Sequence, residues 1–254
     1  MVRCTFLVIV CMGCWLPLVL ASNGSGFSGS VAYSTESIDR GRLVGKHSFL
    51  PHIRGVIYQD SLGIYGDLDA HIPLNKRAYF PDYWKPSAGM LLKATEFFTL
   101  DVGVSHTLLR RQGFELLTHA TESYVGIRSN LLMKPTFYIR WDWDRHQWNL
   151  ETTFGYDFDG VIVDKSSWSL AWENKLGFCK GRRPYGSHGP KRGYKYLYYE
   201  KNLFLKYVMR EYYEFYIGPS FVYNSGGTQP WTVVNSATYR NCFFYLCFGI
   251  TTRQ

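Results

Sequence analysis

The sequence predicts an all-β fold: a single antiparallel transmembrane β-barrel of about 12 strands, with 10 and 14 as the neighbouring counts. Three observations lead there. Apolar and polar residues alternate with period two along most of residues 22–254, a pattern no helix produces. Aromatic residues make up 18 % of the chain, with 20 tyrosines, 17 phenylalanines and 8 tryptophans, and Tyr and Trp belong where a membrane meets water. The connections between alternating segments are mostly long at one end and short at the other, as in a barrel whose rims face two compartments.

Residues 1–21 stand apart from this pattern. Arg3 gives a short basic start, Thr5 to Leu20 form an apolar run, and small-residue chemistry ends it at Ala21. That is the arrangement of a secretory signal peptide, so the barrel domain is expected to span 22–254. Cys4, Cys11 and Cys14 leave with the signal. Cys179, Cys242 and Cys247 remain, an odd number that argues against a disulfide framework. Cys242 and Cys247 are five apart on one expected strand and point to opposite faces.

The strands follow in order. Phe27, Gly29, Val31 and Tyr33 share a face of segment 27–38, and 47–58 follows it. Leu62, Ile64, Gly66, Leu68 and Ala70 define 61–73; Ala88, Met90, Leu92 and Ala94 define 85–96; Phe98, Leu100, Val102 and Val104 define 97–109. His119, Ser123, Val125 and Ile127 share a face of 117–131. Phe137, Ile139, Trp141 and Trp143 oppose Tyr138, Arg140, Asp142 and Asp144 along 135–144, and Trp148 to Phe158 alternates with Asn149 to Asp157 along 147–158. Trp168, Leu170, Trp172, Leu176 and Phe178 carry 165–178, with Asn174 interrupting. Leu197 to Tyr207 carries 192–208, interrupted by Lys201, and Tyr213 to Tyr223 carries 211–224. Segment 238–251 is apolar on both faces, and periodicity does not orient it. An even count closes the barrel with both termini on one side, and closure leaves no unpaired backbone edge in lipid. A soluble β-sandwich or lipocalin-like barrel that binds a ligand is the rival architecture, since it also alternates.

The stretch from Ser30 to Gly41, with Ser48, Pro51 and then Leu62-Gly63-Ile64-Tyr65-Gly66, resembles the opening of a family of uncharacterised Gram-negative-type outer-membrane β-barrels. In that family an Arg-Gly follows the first strand. The resemblance covers residues 28–74 and implies the barrel fold and a cell outer membrane location; it carries no catalytic residues. One departure is that such barrels typically end on an aromatic residue, whereas here Phe248 is followed by Gly249 to Gln254.

The net charge of +8 is scattered rather than gathered on one helix or arm, and no nucleic-acid motif accompanies it. A basic loop set is expected instead: Arg40, Arg42 and Lys46 after the first strand, and Arg182, Arg183, Lys191 and Arg192, with His188, later in the chain. Arg40 reads either as a solvated turn residue paired with Asp39 or as part of a basic mouth in contact with lipopolysaccharide. Inside the barrel the expected lumen-facing charges are Arg140, Asp142, Asp144, Glu151 and Asp157, with Glu36, Asp67, Asp69, Lys93, Asp101, Glu122, Arg128 and Glu173 as further inward charges. Opposite charges in a narrow lumen form satisfied ladders. Tyr65 and Tyr138 are expected to narrow it.

No cofactor and no metal site are expected. The functional reading is a non-enzymatic, porin-like or structural outer-membrane barrel that passes small polar or anionic solutes. Its partners would be lipopolysaccharide and the barrel-assembly machinery. A membrane-embedded lipid-modifying enzyme using Ser123 and His119 is the alternative from another class; the chain lacks a Gly-x-Ser-x-Gly elbow.

Overall fold

The computed structural model describes residues 24–40, 42–74, 82–110, 119–159, 167–181, 194–209, 212–225 and 242–252. They form twelve strands: β1 (Ser25–Asp39), β2 (Arg42–Gln59), β3 (Leu62–Pro73), β4 (Asp82–Lys93), β5 (Phe98–Arg110), β6 (His119–Ser129), β7 (Thr136–Asp142), β8 (Gln147–Asp159), β9 (Trp168–Gly181), β10 (Tyr194–Met209), β11 (Tyr213–Asn224) and β12 (Cys242–Thr252). Each pairs antiparallel with the next, and β1 closes on β12 with Val31 opposite Ile250 and Tyr33 opposite Phe248. The all-β, 12-strand antiparallel barrel predicted from alternation is therefore the observed fold. The signal-peptide reading of residues 1–21 lies outside the described residues.

Most boundaries shift by one to five residues, β2 furthest, since it starts at Arg42 instead of 47, and β9 runs to Gly181 instead of 178; two of the shifts have a visible local reason. β4 ends at Lys93 instead of reaching 96, because the Thr95 hydroxyl oxygen accepts the Phe97 and Phe98 N–H groups at 3.2 and 3.1 Å and turns the chain. β7 ends at Asp142 instead of 144, because its carboxylate accepts the Arg145 N–H at 2.8 Å and starts a turn. The ends of β9 and β11, which lead into the two longest stretches between strands, lie at one rim, while the turns 60–61 and 94–97 lie at the other.

The outward face is apolar and layered. At the rim of the long connections it exposes Trp84, Trp143, Trp148 and Tyr223, and at the opposite rim Phe98, Phe137 and Phe158. Between these belts lie Ile64, Met90, Val102, Val125, Leu150 and Ile217, all exposed. An aliphatic band flanked by aromatic girdles is the outer surface a lipid bilayer requires. β12, which periodicity left unoriented, buries Phe243 and Cys247 inward and exposes Phe244, Leu246 and Phe248.

Inward, tyrosines lie across glycines of the neighbouring strand. Tyr65 is opposite Gly89, Tyr124 opposite Gly103, Tyr138 opposite Gly126 and Tyr198 opposite Gly177. A Cβ on Gly89 would stand 2.6 Å from the Tyr65 hydroxyl oxygen, so the ring lies flat over the strand only because the glycine has no side chain. These rings narrow the lumen, as expected of Tyr65 and Tyr138, and aim their hydroxyls at its charges.

Candidate functional site: the charged lumen

On the β3–β8 side the lumen is built around two carboxylates. Asp101 on β5 is fully buried. It accepts the Tyr65 hydroxyl at 2.6 Å and the Tyr138 hydroxyl at 2.7 Å, and it pairs with the Arg128 guanidinium. Arg128 Nε also donates to the Tyr138 oxygen at 2.7 Å. Glu122 on β6 meets three cations: Arg40, Lys85 with Nζ at 3.6 Å, and Arg140 with Nη1 at 3.7 Å. A buried carboxylate is tolerated only when partners replace its lost hydration, and both sites meet that condition.

Arg140 ties this side together. Its guanidinium lies 4.7 Å from the Tyr138 ring centre and 5.3 Å from that of Tyr124, and Nη2 reaches Glu151 at 4.0 Å. Glu151 in turn accepts the Tyr198 hydroxyl at 2.6 Å. Asp142 is buried against Arg145, with the ion pair at 3.3 Å. Asp157, nearer the opposite rim, pairs with Lys206 at 3.0 Å.

Two expected positions differ in the structure. Arg40 does not remain in a solvated basic loop: its φ of 51° turns the chain at the β1–β2 connection and its side chain enters the lumen to pair with Glu122 across the barrel. Asp144 does not face the lumen. Because β7 has already ended, it sits in the turn, where it accepts the Thr121 N–H at 2.6 Å and lies 4.0 Å from His119 Nε2. Lys46 is exposed on β2, opposite Glu36 of β1, whereas the side chains of Arg42, Arg182, Arg183, His188, Lys191 and Arg192 lie outside the described residues.

The residues of the enzyme alternative are not assembled as a nucleophile–base pair. Ser123 accepts the Trp143 indole N–H at 2.9 Å, while His119 stacks on His106 with ring centres 5.8 Å apart. Ser105 is buried inward while His106 bonds Thr121 on the outer surface at 3.1 Å. Among the described residues, no group of three or more His, Cys, Asp or Glu side chains is placed to hold a metal ion.

The described residues line two cavities of the lumen that bear on function. One, of about 270 Å³, is lined by five cationic and five anionic side chains, among them Arg40, Arg140, Asp101 and Glu151. The other, of about 390 Å³, lies against β1 and β9–β12; it is lined by Glu36, Glu173, Glu200 and Glu214, with Lys206 as its sole cation among the described residues. The first is balanced and the second acidic. Alternation places Glu36 and Glu173 inward but does not by itself single out Glu200, Glu214, Lys175 or Lys206; the first three stand two residues from Tyr198, Tyr216 and Glu173, and Lys206 stands two from Phe204, which is the signal that finds them.

A closed antiparallel barrel with an apolar outer band, aromatic girdles and a charged interior defines the class: this chain has the fold of bacterial outer-membrane β-barrels. Solved structures agree on that fold. An outer-membrane channel from Pseudomonas putida superposes with a TM-score of 0.52 at 13% identity, covering 91% of this chain and 96% of that one. LpxR from Salmonella typhimurium superposes at 0.53 with 8% identity, covering 89% of this chain and 100% of that one. The NanC porin aligns over 90% of this chain and 100% of its own at 13% identity, with a TM-score of 0.49. No family model and no curated relative matches the sequence.

Proposed function

We propose that the chain is a porin-like, non-enzymatic barrel of the bacterial outer membrane that lets small polar solutes through its lumen. The observation that carries this reading is the contrast of faces. The outside suits hydrocarbon, whereas the inside presents charged side chains around two cavities. The signal-peptide pattern of residues 1–21 supports export, and the Arg-Gly likeness of residues 28–74 supports kinship with outer-membrane barrels. Arg42, Arg182, Arg183, Lys191 and Arg192 would meet lipopolysaccharide phosphates at the long-connection rim, and the barrel-assembly machinery would insert the chain.

The lumen charges favour neutral and cationic solutes over anions, because one cavity is balanced and the other acidic. The test is conductance. Purified, folded protein in a planar bilayer is expected to give stepwise currents and to migrate in gels as a heat-modifiable species recovered from the membrane fraction. A folded protein that leaves the bilayer sealed overturns the channel reading, and recovery as a soluble periplasmic monomer overturns the membrane reading as well.

A further inference from the structure

The acidic cavity holds more acceptors than the chain's own donors satisfy. Lys206 Nζ lies 3.4 Å from Glu214, and Lys175 Nζ lies 3.7 Å from Glu200. Among the described residues no ion pair reaches the carboxylates of Glu36 or Glu173. Asn202, only 5% exposed, sits between Glu173 and Glu200 in a fixed orientation. Its amide nitrogen donates to Glu173 Oε1 and Glu200 Oε1, each at 3.3 Å, and only the nitrogen end of an amide can donate to a carboxylate. That leaves Asn202 Oδ1 buried without a donor on the cavity wall. A buried acceptor in this state calls for a donor from outside the chain.

The donor set selects the ligand chemistry. No three of these carboxylates converge as a metal site would require. The charges are spread around a space of about 390 Å³ whose wall also carries Leu50, Phe204 and Tyr216, the two rings meeting edge to face at 5.4 Å. Separated anions around an apolar patch match separated ammonium groups on an alkyl chain. Each ammonium brings three donors for carboxylate and amide oxygens, and the chain covers the apolar wall. The side chains of Lys175 and Lys206 show the same chemistry from within, since both are primary ammonium groups already held by this cluster.

We infer that the acidic cavity between β1 and β9–β12 is a binding site for a small aliphatic diamine. The inference rests on the porin-like reading only for the route by which the amine reaches the lumen. It makes the barrel cation-preferring, with the diamine held part-way along its path.

The full-length barrel, folded in detergent, is to be titrated calorimetrically with 1,4-diaminobutane, with 1-aminobutane and sodium succinate as comparisons. Saturable binding is expected for the diamine, weaker binding for the monoamine and none for the dianion. Glu173→Gln and Asn202→Leu are each expected to weaken diamine binding at least tenfold, while Gly66→Ala on the outer face leaves it unchanged; heat-modifiable migration checks that each variant is folded. Absence of saturable binding to the folded parent, or equal affinity in all variants, overturns the inference. The same protein in a bilayer separates the two proposals: binding without conductance sinks the channel and keeps the site, whereas conductance without binding sinks the site and keeps the channel.

Discussion

The two sides of the lumen use the same residue types to opposite ends. On the β3–β8 side, Asp101 and Glu122 are surrounded by donors, and the tyrosines that supply some of them are seated on glycines. On the side of β1 and β9–β12, Glu36 and Glu173 have no cation within ion-pair reach among the described residues, and Asn202 keeps a buried acceptor free. The first side behaves as a core made of charges. The second resembles a site. What separates them is not how polar the wall is but whether its carboxylates face cations. Even Glu122 Oε1 and Asp67 Oδ1, which accept no hydrogen bond, have Lys85, Arg140 or Arg54 within 4 Å, and a carboxylate without such a partner is available to a solute.

This difference is testable by removing one carboxylate from each side. Asp101→Ala takes the acceptor from the buried Tyr65 and Tyr138 hydroxyls and the ion-pair partner from the part-exposed Arg128 guanidinium, and is expected to destabilise the barrel by about 2–4 kcal/mol. Glu214→Gln removes charge from a cluster with too much of the same sign, leaves Lys206 its Asp157 partner, and should change stability by less than about 1 kcal/mol. Unfolding in guanidinium from lipid vesicles, followed by tryptophan fluorescence, measures both. Equal losses for the two variants would erase the distinction between the sides.

The glycine–tyrosine seats come next in size. A Cβ on Gly126 would fall within the contact distance of the Tyr138 ring, whose hydroxyl serves Asp101. Gly126→Ala is therefore expected to cost about 1–3 kcal/mol by displacing that ring. Gly66 faces outward, and a Cβ added there would meet nothing closer than the Ser87 carbonyl oxygen at 3.9 Å. Gly66→Ala should be neutral or gain a few tenths of a kcal/mol through the unfolded chain. The same unfolding measurement compares them, and a Gly126→Ala barrel as stable as its parent would show that Tyr138 is not seated as described.

How much of this was legible follows from what period two encodes. It encodes faces, so all twelve strands, the inward placement of Arg140, Glu151 and Asp101, and the opposite directions of Cys242 and Cys247 could be read from the chain. It does not encode register between strands. Gly126 reads only as a weak strand residue until β6 and β7 are aligned and Tyr138 falls beside it. Nor does it reach past a strand end: Asp144 kept the lumen parity in the sequence but lies beyond the Asp142 turn. Arg40 was misplaced for a third reason, since the destination of a turn side chain depended on Glu122, 82 residues later in the chain.

The comparison extends to the outer surface, where the effect is smallest. Over β3–β8 the middle of the outward face carries no lysine or arginine among the described residues, whereas β10 exposes Lys201 midway along its length, beside Asn174 on β9 and Phe221 on β11. A lysine facing hydrocarbon costs about 2–4 kcal/mol at the bilayer midplane; its long stem recovers part of this by reaching toward the headgroups. Replacing it by leucine should therefore stabilise the barrel by about 1–2 kcal/mol in vesicles. In thin, water-permeated detergent micelles the gain should shrink toward zero, because the ammonium there is already hydrated. A Lys201→Leu barrel with the same stability as the parent in both media would mean that this part of β10 does not face lipid, and the boundary between the two sides would then have to be redrawn around it.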